Sequence, residues 1–182
     1  MVPSEAECLR LLTEYRFPDG AWTHVTTVAA VGTFLAQELR RAGRPTRVDI
    51  VRAAALLHDL GKAPGLPRDV DHAAASARIA AQHGYVELVE PIDRHIIHSV
   101  LDPARAPRTT EDKIVYYVDK LVARDYVGLE ARFRDLKRRY PQQTEIFDRC
   151  WPAIVAIEVE LFTPLPFKPA DLAGMLDVKQ GL

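Results

Sequence analysis

The feature that most constrains this chain is an apolar helical run, Ala53–Lys62, that ends in a histidine and a carboxylate (AAALLHDLGK). His58 follows Val51 and Ala54 at helical spacing, so it and the adjacent Asp59 belong to the apolar side of the helix. A carboxylate on such a face loses its hydration and must be neutralised, paired or coordinated. A fold that buries this run therefore has to bring a cation to it, and a metal ion is the economical choice.

Further nitrogen and oxygen donors are predicted on the apolar faces of other helices. They are His24, His72, His95, His98 and Asp119. Helical bundles commonly build metal sites from such inward-facing side chains. Imidazoles and carboxylates without thiolates favour Fe or Mn, with Co, Ni, Zn and Mg as alternatives. The donors suffice for one or two ions, and in the second case Asp59 is the natural bridge.

The hydrophobic periodicity is helical throughout and predicts an all-α bundle of about seven to eight helices in one domain, residues 1–182. Ser4 and Glu7 have the spacing of a capping box. Gly61 is predicted to end the third helix, and Pro152 to interrupt the last long one. The proline-containing tail is predicted to wrap over the bundle. The predicted helices cover residues 4–15, 22–41, 48–60, 71–82, 86–98 and 110–124, followed by one helix on each side of Pro141.

Composition excludes several classes of function. The chain has 24 Lys and Arg against 25 Asp and Glu, and this balance argues against an electrostatic nucleic-acid binder. The basic residues between Arg132 and Arg139 alternate with Glu130 and Asp135 or lie close to them, which is typical of a solvated helix face. No apolar run approaches the ~20 residues of a membrane span, and the first residues lack a signal pattern. We therefore expect a cytoplasmic protein without a nucleic-acid or membrane partner.

The ordered series His24, His58-Asp59 and Asp119 resembles the HD superfamily of metal-dependent phosphohydrolases. Residues 56–62 (LLHDLGK) look like the most recognisable stretch of that superfamily, including the lysine after His-Asp. Residues 114–121 (IVYYVDKL) look like its closing helix, with Val118 where alanine is more usual. The resemblance covers about residues 22–126 and leaves 127–182 as C-terminal helices and tail.

His72 and His95 stand where members with two metal ions carry additional histidines. The arrangement is similar to the branch that includes symmetrically cleaving diadenosine tetraphosphate hydrolases, which use a di-iron centre. After His95 the chain continues Ile96-Ile97-His98, where that branch has a His-Thr-Thr-Gly-like run. The helical register of Leu88, Ile92 and His95 favours His95 over His98 as the ligand.

The resemblance implies hydrolysis of a phosphomonoester or phosphoanhydride, in a nucleotide or dinucleotide, by a metal-activated hydroxide. Asp59 and Lys62 would be the catalytic residues. The implied metal ligands are His24, His58, Asp59, His72, His95 and Asp119. The implied substrate contacts are Lys62, His98, Lys120 and Arg124. A regulatory module that binds metal and nucleotide without turnover, and a di-iron oxygenase, are the alternatives; a homodimer is compatible with all three.

Overall fold

Helices make up the architecture, which a computed structural model describes for residues 1–66 and 71–180. The nine α-helices of this part of the chain are α1 (Glu5–Glu14), α2 (Asp19–Arg41), α3 (Val48–Leu57), α4 (His72–Gln82), α5 (Val89–Asp93), α6 (Thr110–Asp119), α7 (Leu129–Arg139), α8 (Thr144–Phe162) and α9 (Leu172–Gln180). Short 3-10 turns occupy Leu60–Lys62, Val86–Leu88, Ile97–Leu101, Pro141–Gln143 and Pro169–Asp171. The described ranges contain no strand beyond one bridge between Val122 and Tyr126. The all-α prediction is confirmed, and the helix number is higher because the tail forms α9.

Capping explains where two of the helices begin. Ser4 and Glu7 form the predicted capping box, with the Glu7 carboxylate 2.7 Å from the Ser4 amide nitrogen that donates to it. Thr109 and Asp112 form a second box at the start of α6. Pro152 does not interrupt α8, contrary to the prediction. Buried residues on both sides of it, Cys150 and Ile154 among them, hold the helix together across the missing amide donor.

The core is built where α2 packs against α3 and α6. A Cβ on Gly32 of α2 would lie 3.2 Å from Val51 of α3 and 3.4 Å from Val118 of α6, so the three helices approach closely. The tail covers this bundle as predicted, because Phe167 packs at 6.0 Å from both the Phe34 and the Phe162 rings. None of the helices in the described ranges has the length and apolar character to cross a membrane.

The third helix ends at Leu57, three residues before the predicted end, and the chain turns into the 3-10 segment Leu60–Lys62. Gly61 is not a left-handed helix stop, because its φ is not positive. Its role is contact: a Cβ there would lie 2.2 Å from the carbonyl oxygen of His72. The Gly61 amide donates to Ser76 Oγ at 2.7 Å, and Ser76 Oγ donates to the His72 carbonyl at 2.7 Å. Glycine is therefore what lets this turn dock on the first turn of α4.

The helix predicted over residues 86–98 is divided. Only Val89–Asp93 is α-helical, and Ile96 adopts extended backbone angles before the next 3-10 turn. His95 and His98 consequently do not share a helix face. The segment between the helices predicted over 48–60 and 71–82 lies partly outside the described residues. Likewise, α6 ends at Asp119 instead of continuing to residue 124.

Candidate metal centre

Five helices bring their ends to one place and supply six donor side chains. His24 comes from α2, His58 and Asp59 follow α3, and Asp119 is the last residue of α6. The other two donors are His72, the first residue of α4, and His95, which follows α5. We refer to His24, His58, Asp59, His72, His95 and Asp119 as the donor cluster. Three overlapping triplets have ligand atoms within 4.8 Å of one another: His24/His58/Asp59, His58/His95/Asp119 and Asp59/His72/His95.

Asp59 lies at the centre, and its two oxygens face different partners. Oδ2 lies 3.6 Å from His58 Nε2 and 3.8 Å from His24 Nε2. Oδ1 lies 3.4 Å from His72 Nε2 and 3.6 Å from His95 Nε2. The first group also contains Asp119, whose Oδ1 is 3.1 Å from His24 Nε2 and 3.6 Å from His58 Nε2. The cluster thus divides into two sets of donors joined by one carboxylate.

Backbone carbonyls fix the orientation of three of the imidazoles. The Nδ1 atoms of His24, His58 and His95 lie 2.7, 2.7 and 2.6 Å from the carbonyl oxygens of Ala123, Ala55 and Ile92. A carbonyl only accepts, so each Nδ1 must carry the hydrogen and each Nε2 keeps its lone pair. Such backbone partners are the usual supports of metal-ligating histidines.

Two buried atoms of the cluster have no hydrogen-bond partner among the described residues. They are His58 Nε2 and Asp59 Oδ1, on side chains that are almost completely inaccessible to water. Buried polar atoms are nearly always paired, and an unpaired one costs free energy. Both atoms are of the kind that a cation would coordinate. The residues present therefore fit a metal site.

The electrostatics favour metal-binding protonation states at the two carboxylates and at two of the imidazoles, whereas His58 is drawn towards its protonated form. Burial raises the pKa of Asp59 and of Asp119, but neighbouring imidazoles and lysines outweigh burial and hold both pKa values well below the usual range. Burial lowers the pKa of His72 to about 3 and also lowers that of His95. Burial disfavours protonated His58 as well, but the two carboxylates raise its pKa. Ionised carboxylates and neutral imidazoles are the forms that bind metals.

The two lysines of the motif have different surroundings. Lys62 is half exposed, and its Nζ donates to Asp59 Oδ2 at 2.6 Å. Lys120 is buried; its Nζ donates to Asp119 Oδ2 at 2.9 Å and to the carbonyl of His95, and lies 4.1 Å from the centre of the Tyr116 ring. The contact of Lys120 with substrate stays a prediction: the residue lines the cavity beside the cluster, and its amino group is hydrogen-bonded within the protein.

Next to the donor cluster lies a cavity of about 570 Å³. Five of the six donors line this cavity, and Leu136, Tyr140 and Ile146, from residues beyond the predicted motif core, contribute apolar wall. We call this space the apolar cavity. His98 is exposed and lines it, whereas His95 lies in the cluster. Arg124 is exposed at a second opening beside the cluster.

Arg132 corrects the prediction of a uniformly solvated basic face. Arg134, Arg138 and Arg139 are exposed, but the Arg132 side chain is only 15% exposed and reaches the apolar cavity. Its spacing could have revealed this, because Leu129, Phe133 and Leu136 surround it at positions −3, +1 and +4 on the buried face of α7.

Comparison with known proteins gives a family match and a similarity to part of a longer curated protein. The family model described as HD domain matches residues 21–124, more than half of the chain. The chain is also similar to a tRNA (cytidine(56)-2'-O)-methyltransferase of Thermoplasma volcanium, with 29% identity over 136 residues. That alignment covers 69% of this chain, which spans 38% of the length of the curated relative. No solved structure gives a significant match.

Proposed function

This chain belongs to the HD domain family, and from this membership together with its donor cluster we propose that it is a metal-dependent phosphohydrolase. The observation that carries the proposal is the buried cluster itself, in which His58 Nε2 and Asp59 Oδ1 have no partner within the described ranges. Bound metals at such a site supply Lewis-acid polarisation of phosphoryl oxygens and activation of water. The substrate would be a phosphomonoester or phosphoanhydride of a nucleotide or dinucleotide.

The division of the donors supports two ions rather than one. Asp59 presents Oδ2 to one set, with His24 and His58, and Oδ1 to the other, with His72 and His95. A carboxylate placed in this way suits a bridging ligand between metals about 3.5–4 Å apart. The histidine-rich donor set favours Fe or Mn. These features support a place near the branch that contains diadenosine tetraphosphate hydrolases.

The side chains around the donors would bind the substrate, protonate the leaving group or position the metal ligands. Lys62 is half exposed and adjoins Asp59 Oδ2, so it can hold a phosphoryl oxygen or protonate a leaving oxygen. His98 and Arg124 stand at the edges, where substrate would enter. Lys120 would act indirectly, because its amino group holds Asp119 and the His95 carbonyl.

The first test is metal content per chain, measured by elemental analysis on protein purified without chelator or His-tag and reconstituted with Fe or Mn. About two equivalents are expected for the two-ion site. The loaded protein is then assayed for phosphate or nucleotide release from an aryl phosphate, nucleoside mono-, di- and triphosphates, and diadenosine tetraphosphate. About one equivalent would contradict the two-ion proposal and support a single ion held by His24, His58, Asp59 and Asp119.

A matched pair of variants identifies the cluster as the source of activity. Asp59→Asn should lower hydrolysis more than about 100-fold, since even supporting partners of metal ligands contribute 10- to 100-fold. Asp49→Asn is the control: it makes the same change in α3, the helix that precedes Asp59, at a half-exposed carboxylate that pairs with Arg47. A loaded protein that hydrolyses none of these compounds, or an Asp59→Asn variant with full activity, would contradict the phosphohydrolase. Stabilisation by a nucleotide that is not cleaved would instead support a regulatory module.

A further inference from the structure

Arg132 is a largely covered cation, 15% exposed, and the hydrogen-bonding capacity of two of its nitrogen atoms is unused. Its Nε and Nη1 atoms are inaccessible to water and have no hydrogen-bond partner in the described part of the chain. The nearest carboxylate, Asp135, lies 3.5 Å from Nη1. An unsatisfied buried donor costs about 1–3 kcal/mol, and more when it is charged. A guanidinium left in this state beside a metal site is suited to a ligand with anionic oxygens.

The surroundings of Arg132 carry excess positive charge. A cleft of about 510 Å³ opens beside the donor cluster, and its cationic side chains are Lys62, Arg124, Arg132, Arg138 and Arg139. We call it the basic cleft. The acidic residues that line the basic cleft are Asp59 and Asp135. The Asp135 carboxylate accepts hydrogen bonds from Arg138, at 2.9 Å, and from Arg139. Lys62 is paired with Asp59, and the single carboxylate of Asp135 is shared by Arg132, Arg138 and Arg139, so the cationic charges of the cleft outnumber its carboxylates.

Arg132 also stands where two spaces meet. It lines both the basic cleft and the apolar cavity, and both spaces reach His24 and Asp59 of the donor cluster. A group bound at Arg132 is therefore next to whatever the cluster binds. An anion held there would belong to the same substrate molecule as the reacting phosphate.

We propose that the basic cleft, through Arg132, binds a second phosphate of the substrate. The substrate would then be a phosphoanhydride, such as a nucleoside di- or triphosphate or a dinucleoside polyphosphate, rather than a phosphomonoester. The apolar cavity, walled by Leu136 and Ile146, is large enough to take the nucleoside. This inference rests on the proposed function and adds to it that the substrate carries at least two linked phosphates.

The activity test compares Arg132→Gln with Arg134→Gln in metal-loaded protein. Arg134 lies on the same helix and is exposed, so the second variant removes the same charge outside the cavity. Arg132→Gln should lower kcat/KM for ADP and ATP by about 10- to 100-fold, as expected for loss of a hydrogen bond to a charged group. Activity on AMP and on an aryl phosphate should change by less than about 3-fold, the scale of a screened surface charge. An equal loss on all substrates would overturn the second-phosphate site.

Calorimetric binding tests the site without turnover. Pyrophosphate should bind the metal-loaded wild type about 10-fold tighter than inorganic phosphate at about 0.15 M ionic strength. Arg132→Gln should abolish this preference, whereas Arg134→Gln should retain it. If Arg132→Gln fails to fold, Arg132→Lys keeps the charge but lacks the planar guanidinium and should show an intermediate preference.

The two tests separate failure of the inference from failure of the proposed function. Hydrolysis with no effect of Arg132 on either the substrate preference or the pyrophosphate preference would overturn the second-phosphate site alone. Arg132-dependent pyrophosphate binding without hydrolysis of any compound would contradict the phosphohydrolase while supporting the site. Equal binding of phosphate and pyrophosphate by the wild type would overturn the site irrespective of turnover.

Discussion

The residues matched by the HD family and those that follow them differ in how their polar side chains are hydrogen-bonded within the protein. Within 21–124, backbone carbonyls fix the imidazoles of His24, His58 and His95 beside Asp59. Beyond them, α7 and α8 contribute apolar walls and one largely covered cation, Arg132, whose buried Nε and Nη1 atoms have no hydrogen-bond partner within the described ranges. The first region is preorganised to hold an ion, whereas the second is left with a group that a ligand would satisfy.

This contrast predicts that changes in the two regions have different effects on metal content and on substrate preference. Changes to the donors of the first region should alter metal content and lower activity on every substrate alike. Changes in the second region should leave metal content intact and alter which substrate is preferred. A variant of α7 or α8 that lost metal, or a cluster variant that only changed preference, would break the distinction.

The largest effect is expected for His72→Ala. His72 Nε2 lies 3.4 Å from Asp59 Oδ1 and 3.2 Å from His95 Nε2, in the second set of donors. The variant should lose about one of two metal equivalents and more than about 100-fold in activity on all substrates. His98→Ala is the control, because His98 is exposed on the cavity wall and should retain both ions. Full metal content in His72→Ala would remove this residue from the ligand set.

The next largest effect is expected for Gly61→Ala, which removes no donor and changes only the packing of the turn against α4. The added Cβ would lie 2.2 Å from the His72 carbonyl oxygen, so the 3-10 turn and α4 must separate. Overpacking of this kind costs about 1–3 kcal/mol of the free energy of unfolding. Misplacement of about 1 Å in a catalytic constellation costs about 100-fold in rate.

Gly20→Ala is the matched control for that change. No atom lies within 4 Å of a Cβ built on Gly20, which belongs to the first turn of α2. Thermal melting and elemental analysis of both variants check the expectation. An unchanged melting temperature and metal content in Gly61→Ala would mean that the contact between the turn and α4 is not needed to assemble the cluster.

Gly61 also shows what the sequence could and could not predict. Helical spacing and apolar neighbours were enough to select His58, Asp59 and Asp119, which the structure brings together. Their roles as ligands stay predictions. The end of α3 was misplaced because the turn after Leu57 is held by long-range contacts, such as the Gly61–Ser76 hydrogen bond, which no local pattern contains.

Arg132 and Ile96 illustrate two further limits. Arg132 was assigned to solvent because the charged composition of α7 outweighed the apolar spacing around it. The helix predicted through residue 98 stops early because Ile96 is extended. His95 was nevertheless placed correctly within the cluster region, since its spacing from Ile92 needs only the short helix α5.

A smaller effect is expected for Lys120→Met, which keeps an unbranched side chain and removes the amino group that lies over the Tyr116 ring. The His95 carbonyl and Asp119 would lose their shared donor. Metal affinity should fall about 30-fold, within the range for partners of metal ligands, with equal effects on all substrates. Lys113→Met is the control, as this lysine of α6 pairs with Glu160. A change in substrate preference without weaker metal binding would show that Lys120 contacts substrate directly.

The smallest effect tests the second region by itself. Leu136 contributes to the wall of the apolar cavity from α7. Leu136→Ala removes apolar area that a nucleoside would bury, so KM for nucleotides should rise about 5-fold, equivalent to about 1 kcal/mol. Because no donor is touched, metal content and activity on an aryl phosphate should remain at wild-type values.

The control for Leu136→Ala is Val159→Ala, an aliphatic truncation at a position that is 59% exposed on α8. Elemental analysis and KM values for ATP and an aryl phosphate distinguish the outcomes. An equal rise of KM for both substrates would mean that the cavity wall supports the cluster instead of selecting the nucleoside. The two regions would then act as one unit, because an apolar side chain beyond the HD match would be positioning the donors within it.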